Sequence, residues 1–309
     1  MISVIIVTYN RLALLKQCLE SLLSQITGAT YEIIVVDNCS TDGTNQFLVE
    51  ISTTKSHRIQ YIRNNVPINL VVCKEQAFKT ASGDCIACID HDCIASPHWL
   101  DAVVKTINSY DVVGGTVLPF RETLFPWWWR ESLGWLVGIA AKTDCTFAPL
   151  CSNIAIKRKI FEHIQREQAQ FVQKGEHCYF RRNTQSFSLK KDDCRIKICG
   201  DDNDWTRRLL RHGYSIVHNK EMVVYHYIPQ ERLTITYLIK RSWQEGYCWV
   251  LWEYRLSVFI VSLIALISAP IRFLFCFDIN LFFRMIVRGS YVLHYLMHTI
   301  HRLTTSRPK

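Results

Sequence analysis

Two aspartates one residue apart, Asp90 and Asp92, follow the short apolar run Cys85-Ile86-Ala87-Cys88-Ile89. A run of that length bounded by polar residues reads as a strand buried on both faces. The two carboxylates then stand at its C-terminal end, the edge at which open α/β sheets bind ligands. An Asp-x-Asp placed there suits a hard divalent cation, which sits between carboxylates and substrate phosphates. Taken alone, the same pattern also describes a strand end leading into a solvated turn. A second acidic group lies in Gly200-Asp201-Asp202-Asn203-Asp204-Trp205. Its three aspartates open a helix, where negative charge suits the positive end of the helix dipole. That cluster alone requires no further function.

The elements that must position these groups follow from periodicity. Residues 2–7 form a buried strand that ends at Thr8-Tyr9-Asn10-Arg11, and residues 12–25 carry leucines at helical spacing. A second strand, Glu32 to Val36, ends at Asp37-Asn38, and Asp42 or Thr44 can cap the helix that follows. Ile59-Gln60-Tyr61-Ile62 is a third strand, and a helix over residues 70–81 leads to the strand before Asp90. Strands alternating with helices imply a parallel α/β sheet. Parallel strands share one direction, so Asn10, Asp37 and Asp90 should converge on one edge as a binding crevice. Beyond it come a helix to about Ser109, a strand from Asp111 to Val117 and a strand from Cys151 to Ile156. The last strand-like pieces are Tyr214–Val217 and Met222–His226, with residues 165–198 as a polar surface insertion. Pro126-Trp127-Trp128-Trp129 is a packed loop, an acceptor platform, a sugar-stacking surface or an interfacial membrane belt, since three adjacent tryptophans cannot share one core.

The chain has 309 residues, enough for one large domain plus an appendage. The net charge of +9 is uneven: from Glu231 onward, ten Lys and Arg stand against four Asp and Glu. Those bases are scattered through aromatic and aliphatic runs, which suits an anionic membrane surface and argues against nucleic acid. Sixteen uncharged residues, Leu256 to Ile271, are borderline for a membrane span and also suit an interfacial segment. The tail from Phe282 intersperses apolar residues with Arg284, Arg288 and Arg302, as an amphipathic helix lying on, or hairpinning through, a cytoplasmic leaflet would; a water-buried helical hairpin is the other reading. Thirteen cysteines, an odd and scattered number, read as reduced thiols of the cytosol, several acting as small hydrophobes. Cys85 and Cys88 form a CxxC, but on a strand they face opposite sides and cannot grip one metal. Met1 leads straight into the first strand, with no signal peptide in view.

Together, Val7-Thr8-Tyr9-Asn10-Arg11, Val35 through Thr44, Asp90-His91-Asp92 and Gly200 through Trp205 resemble glycosyltransferase family 2. The resemblance covers about residues 1–230 and implies a GT-A, Rossmann-like catalytic domain there; the composition of residues 231–309 makes them a helical, membrane-associated segment. It implies an inverting transferase that takes a nucleotide-diphospho sugar and uses Mg2+ or Mn2+. By the same resemblance, Thr8, Tyr9, Asn10, Arg11, Asp37, Asn38 and Asp90 would line the donor nucleotide. Asp92 would ligate the metal, with Asp90 and His226 as further candidates; His226 equally suits a structural strand-end histidine. Asp202 would be the catalytic base, with Asp201 and Asp204 as alternatives because Asp201 stands where the family carries Glu. Asn153, Trp205 and Arg232 would lie on the acceptor and diphosphate side, and Arg158 resembles part of the same acceptor segment.

The chemistry is consistent with those roles. A departing diphosphate gains negative charge that a cation stabilises. An acceptor hydroxyl must lose its proton to a positioned carboxylate. One base opposite the leaving group gives a single displacement and hence inversion. The basic, aromatic tail makes a lipid-linked saccharide at the cytoplasmic face of the membrane the leading acceptor, as in polysaccharide or glycolipid synthesis. A soluble saccharide is the other. A processive synthase is disfavoured, because Gln244 leads only to Glu245-Gly246-Tyr247. Two other classes compete: an inactive transferase-like scaffold in a membrane assembly complex, and a nucleotidyltransferase. The second normally needs a glycine-rich basic loop after the first strand, where this chain has Thr8-Tyr9-Asn10-Arg11.

Overall fold

The computed structural model describes residues 1–54, 58–68, 70–140, 152–164, 209–252, 258–267 and 279–305. These residues fall into two compact units. Residues 1–121, 139–140, 152–164 and 209–227 form the first, and residues 122–138 with those from 228 onward form the second.

The first unit is built on one eight-stranded sheet. Its strands are β1 (Ile2–Thr8), β2 (Tyr31–Asp37), β3 (Ile59–Arg63), β4 (Cys85–Ile89), β5 (Cys93–Ala95), β6 (Val112–Pro119), β7 (Asn153–Lys157) and β8 (Ile216–His226). The helices are α1 (Leu12–Leu23), α2 (Thr44–Thr54), α3 (Leu70–Thr80) and α4 (Trp99–Ile107), and residues 158–164 are helical as well. Alternation along each strand splits the core in two. Ile2, Val4 and Ile6 of β1 and Ile33 and Val35 of β2 pack on one face with Leu15, Leu19 and Leu22 of α1. Trp99, Leu100 and Val103 of α4 join them there. Ile5, Ile34 and Val36 face the other way, toward Cys73, Ala77 and Phe78 of α3 and Ile160, Phe161 and Ile164. Cys85 belongs to the first face and Cys88 to the second, as a period of two requires. Among the described residues, Cys18, Cys39, Cys73, Cys85, Cys88 and Cys93 are not in disulfides.

The strand order is β3-β2-β1-β4-β7-β6-β8-β5. The four strands β3, β2, β1 and β4 are parallel, as their alternation with helices implies, while the later strands make the sheet as a whole mixed. β7 runs antiparallel to both β4 and β6, β8 is parallel to β6, and β5 is antiparallel to β8. A buried apolar run is the same read in either direction, so periodicity could not reveal this. The two late strand-like pieces form one strand, β8, whose register against β6 shifts between Gly115 and Thr116. The three-residue β5 has no periodicity of its own and was not anticipated.

In the second unit, α5 (Ile235–Trp252) packs on α6 (Ile279–Thr305). Gly246 permits the approach, because a Cβ there would lie 2.0 Å from the Val287 carbonyl oxygen. Ser290 Oγ donates to the Trp243 carbonyl at 2.7 Å across the same contact. Trp135, in the 3-10 helix Glu131–Val137, donates from Nε1 to Asn280 Oδ1 at 3.1 Å. Trp127 is 91% exposed while Trp129 stacks on Phe125, so the tryptophan run is not simply a packed loop. Residues 258–267 are helical and expose Ile260, Val261, Leu263, Ile264 and Ile267. Among the described residues, no helix is long and apolar enough to cross a membrane.

Candidate active site

The directions of the strands bring the polar ends together. β1, β2, β4, β6 and β8 all finish at one edge of the sheet, while β5 and β7 begin there. That edge therefore collects Thr8, Asp37, Asp90, Asp92, Asn153 and His226.

Two loops are laced across the ends of β1 and β2. Asn10 and Cys39 both hold positive φ, at 49° and 69°, a region few residues other than glycine enter readily. Their neighbours hold them: the Asn10 amide donates to Ser40 Oγ at 2.9 Å, and Asn10 Oδ1 accepts from the Thr41 amide at 2.7 Å. Asp42 serves two helix starts at once. Its Oδ2 accepts from the Leu12 amide at 2.9 Å, and its Oδ1 accepts from Thr44 Oγ1 at 2.6 Å. Each bond satisfies a donor that a helix N-terminus leaves open or orders the turn before it. Burial pushes the Asp42 carboxyl up, and the bonds from Thr44 and Leu12 outweigh it and hold it below its usual range. Asn38 closes the loop from the other side, with Oδ1 accepting from the Ile68 amide at 3.0 Å and Nδ2 donating to the Ile68 carbonyl at 2.8 Å.

Asp37 is fully buried at the end of β2. Its Oδ1 accepts from the Ser40 amide at 2.9 Å, and Arg63 stands 3.8 Å from its Oδ2. Asp37 Oδ2, Thr8 Oγ1 and His226 Nδ1 are buried polar atoms with no hydrogen-bond partner among the described residues. Native proteins rarely leave such atoms unmatched, and a bound ligand is one of the ordinary reasons. Tyr9 and Arg11 are exposed beside Thr8.

The Asp90-His91-Asp92 turn is fixed by His91, whose Nδ1 lies 2.9 Å from the Val7 carbonyl oxygen. A carbonyl only accepts, so Nδ1 carries the proton. The Asp90 carboxyl is raised, first by burial and then by the Asp92 charge, with Lys74, His91 and His226 pulling the other way. Two carboxylates so close resist joint ionisation, which is the condition a cation relieves. Asp92 Oδ2 lies 3.6 Å from His226 Nε2, and the Asp92 carbonyl accepts from the Tyr227 amide at 2.8 Å. Donor atoms of Asp92, Cys93 and His226 lie within 4.8 Å of one another. That set of oxygen, sulfur and nitrogen can hold a divalent cation. Cys93 went unnoticed in the sequence because its nearness to His226 comes only from the β5–β8 register.

Two acceptor-side expectations change. Asn153 is fully buried: Nδ2 donates to the Thr116 and Met222 carbonyls at 2.9 and 2.8 Å, and Oδ1 accepts from Trp99 Nε1 at 2.8 Å. It braces β6, β7 and β8 from inside, and Gly115 leaves it room, since a Cβ there would lie 2.3 Å from Nδ2. Arg158 stands at the opposite edge of the sheet, because β7 runs antiparallel to β4. Its Nε donates to the Gly83 carbonyl at 2.7 Å. Arg232 lies half-buried in the second unit, on the 3-10 helix Gln230–Leu233. Asp201, Asp202, Asp204 and Trp205 lie outside the described residues.

Comparison with known proteins follows the same lines. A family model described as glycosyl transferase family 2 matches residues 3–165. Glycosyltransferase AglE of Haloferax volcanii is 32% identical over 231 residues, which span 73% of this chain and 66% of that protein. Glucosyl-dolichyl phosphate glucuronosyltransferase, also of Haloferax volcanii, is 25% identical over 270 residues, 80% of this chain and 75% of that one. Among solved structures, a mannosyltransferase from Pyrobaculum calidifontis, in complex with GDP-Man and Mn2+, matches with a TM-score of 0.56. The match covers 99% of this chain and 76% of that chain at 15% identity, a likeness of fold.

Proposed function

Because this chain belongs to glycosyltransferase family 2, we propose that it moves a sugar, with inversion, from a nucleotide-diphospho donor to a hydroxyl of a lipid-linked saccharide. The observation that carries this reading is the convergence of Asp37, Asp90, Asp92 and His226 on one sheet edge, where buried polar atoms of Thr8, Asp37 and His226 have no partner among the described residues. The mannosyltransferase of similar fold was solved with a nucleotide sugar and Mn2+, which supports a donor and a divalent cation of those kinds.

Asp92 and His226, with Asp90 beside them, are the residues that would hold Mg2+ or Mn2+. The cation supplies stabilisation of the charge that grows on the departing diphosphate. The chain's own residues do the rest. Asp37 presents Oδ2 to a base N–H, and Thr8 Oγ1 and the exposed Tyr9 border the nucleoside. His91 holds the Asp90–Asp92 turn against β1 and so fixes where the carboxylates point. Asp202 takes the proton of the attacking hydroxyl, with Asp201 and Asp204 as the alternatives; that assignment rests on the family motif. A single displacement with one base gives inversion.

The acceptor and its location rest on other observations. One relative is named for a dolichyl phosphate sugar, and the second unit exposes Ile260, Ile264, Ile267, Leu293, Leu296, Met297 and Ile300. With the net positive charge from residue 231 onward, that surface suits the cytoplasmic face of an anionic membrane. Exposing the full-length protein to a panel of UDP- and GDP-sugars with polyprenyl phosphate saccharides, read by mass spectrometry, tests the reading. A glycosylated lipid that disappears with Asp92→Asn is the expected result. Donor consumption by neither form would favour the scaffold instead. Flotation with anionic but not neutral vesicles is expected, and a protein left wholly at the bottom would refute the membrane placement.

A further inference from the structure

We propose that Cys93 is a third protein ligand at the Asp92–His226 site, and that the site takes a borderline cation such as Zn2+ or Co2+ in preference to Mg2+. The inference deepens the proposed function and rests on its reading that Asp92 and His226 hold the cation. The geometry starts from the ladder. Cys93 and His226 are direct partners in the antiparallel β5–β8 pair. The Tyr227 amide bonds to the Asp92 carbonyl, one position out on each strand. Cys93 and His226 are therefore a pair that exchanges no backbone hydrogen bonds, the kind in which facing side chains come closest. Asp92 adds its carboxylate from the turn just before β5, and the three donor atoms lie within 4.8 Å of one another. Metal bonds of roughly 2.0–2.3 Å to oxygen, nitrogen and sulfur need only about an ångström of further closure.

The environment favours ligation over a simple core packing role. His226 is 6% exposed and its Nδ1 has no hydrogen-bond partner among the described residues. Its Nε2 stands 3.6 Å from Asp92 Oδ2, too long for a hydrogen bond. The imidazole is therefore buried beside a carboxylate and a thiol. Ligand chemistry then decides which cation fits. Mg2+ demands a near-octahedral shell of oxygens and keeps its waters. Sulfur and imidazole suit later and softer ions, and affinity for a mixed set rises from Mn2+ through Co2+. On binding, the Cys93 S–H bond breaks, a sulfur–metal bond forms and the proton leaves to solvent.

Titrating the full-length protein with Co2+ tests this. A near-ultraviolet thiolate-to-cobalt absorption should appear in the wild type and be absent from Cys93→Ser at the same Co2+ occupancy. The Cys93→Ser affinity for Co2+ should fall at least about tenfold, the smaller loss seen even for residues that merely support a ligand. In the unmodified protein, one equivalent of Zn2+ should abolish the band while a hundredfold excess of Mg2+ leaves it. An identical band in Cys93→Ser, a band removed equally by Mg2+, or no Co2+ binding would overturn the proposal. If Cys93→Ser does not fold, the competition arm can still overturn the proposal by itself. Sugar transfer is scored separately. A Cys93-dependent band without transfer under any cation would sink the proposed function alone, and Mg2+-supported transfer without a band would sink this inference alone.

Discussion

His91 Nδ1 donates to the Val7 carbonyl at 2.9 Å, so the residue between the two site aspartates ties the end of β4 to the end of β1. The sequence offers no task for this histidine, and the structure makes it the anchor of the turn. Replacing it with alanine should cost about 1 kcal/mol of stability, the net value of one such bond. Donor KM should rise more than that loss of stability implies, since Asp90 and Asp92 lose their fixed direction. Thermal melts and steady-state kinetics separate the two effects; a variant with wild-type KM would make His91 purely structural.

Asp92→Asn keeps the shape of the side chain and removes its charge. If Asp92 bears a cation that offsets several kcal/mol of developing charge, transfer should fall by roughly two orders of magnitude or more. Circular dichroism should be unchanged. Activity within threefold of wild type would remove Asp92 from the metal site.

Asn153 joins three strands from inside the core. Asn153→Ala leaves the Trp99 indole N–H and the Thr116 and Met222 carbonyls without their partner. A loss on the order of 3 kcal/mol is expected, since each buried group left unmatched costs about 1–3 kcal/mol. Trp99→Phe breaks one of the three bonds and adds the cost of the space that the smaller ring leaves in the core. Denaturant unfolding checks this, and an Asn153→Ala loss below about 1 kcal/mol would mean that the three bonds contribute little.

Glu32 gives the stability a pH signature. Burial pushes its carboxyl up, but hydrogen bonds from Ser3, Ser82 and Gly83 outweigh burial and hold it below the usual range. A carboxyl lowered in the folded state contributes stability that is fully present above its unfolded pKa. That contribution is lost as pH falls through the folded value. Melting temperature should therefore decline on acidification below the ordinary Glu range, and Glu32→Gln should flatten that part of the profile. A wild-type slope retained in Glu32→Gln would assign the effect to other groups.

Much of this protein follows from local pattern. The alternation of β1, β2 and β4 and the leucine spacing of α1 are encoded within short windows, because burial imposes a period of two on strands and 3.6 on helices. The strand-end residues Thr8, Asp37, Asp90 and Asp92 could be located from those windows alone. Direction and register could not. Whether β7 runs with or against β4 depends on how the chain returns to the sheet. That choice sends Asn153 to the crevice edge as a buried brace and Arg158 to the far edge. The meeting of Cys93 with His226 depends on a pairing between residues 133 positions apart. No window of sequence contains both, so only the folded sheet places a thiol, an imidazole and a carboxylate within reach of one ion.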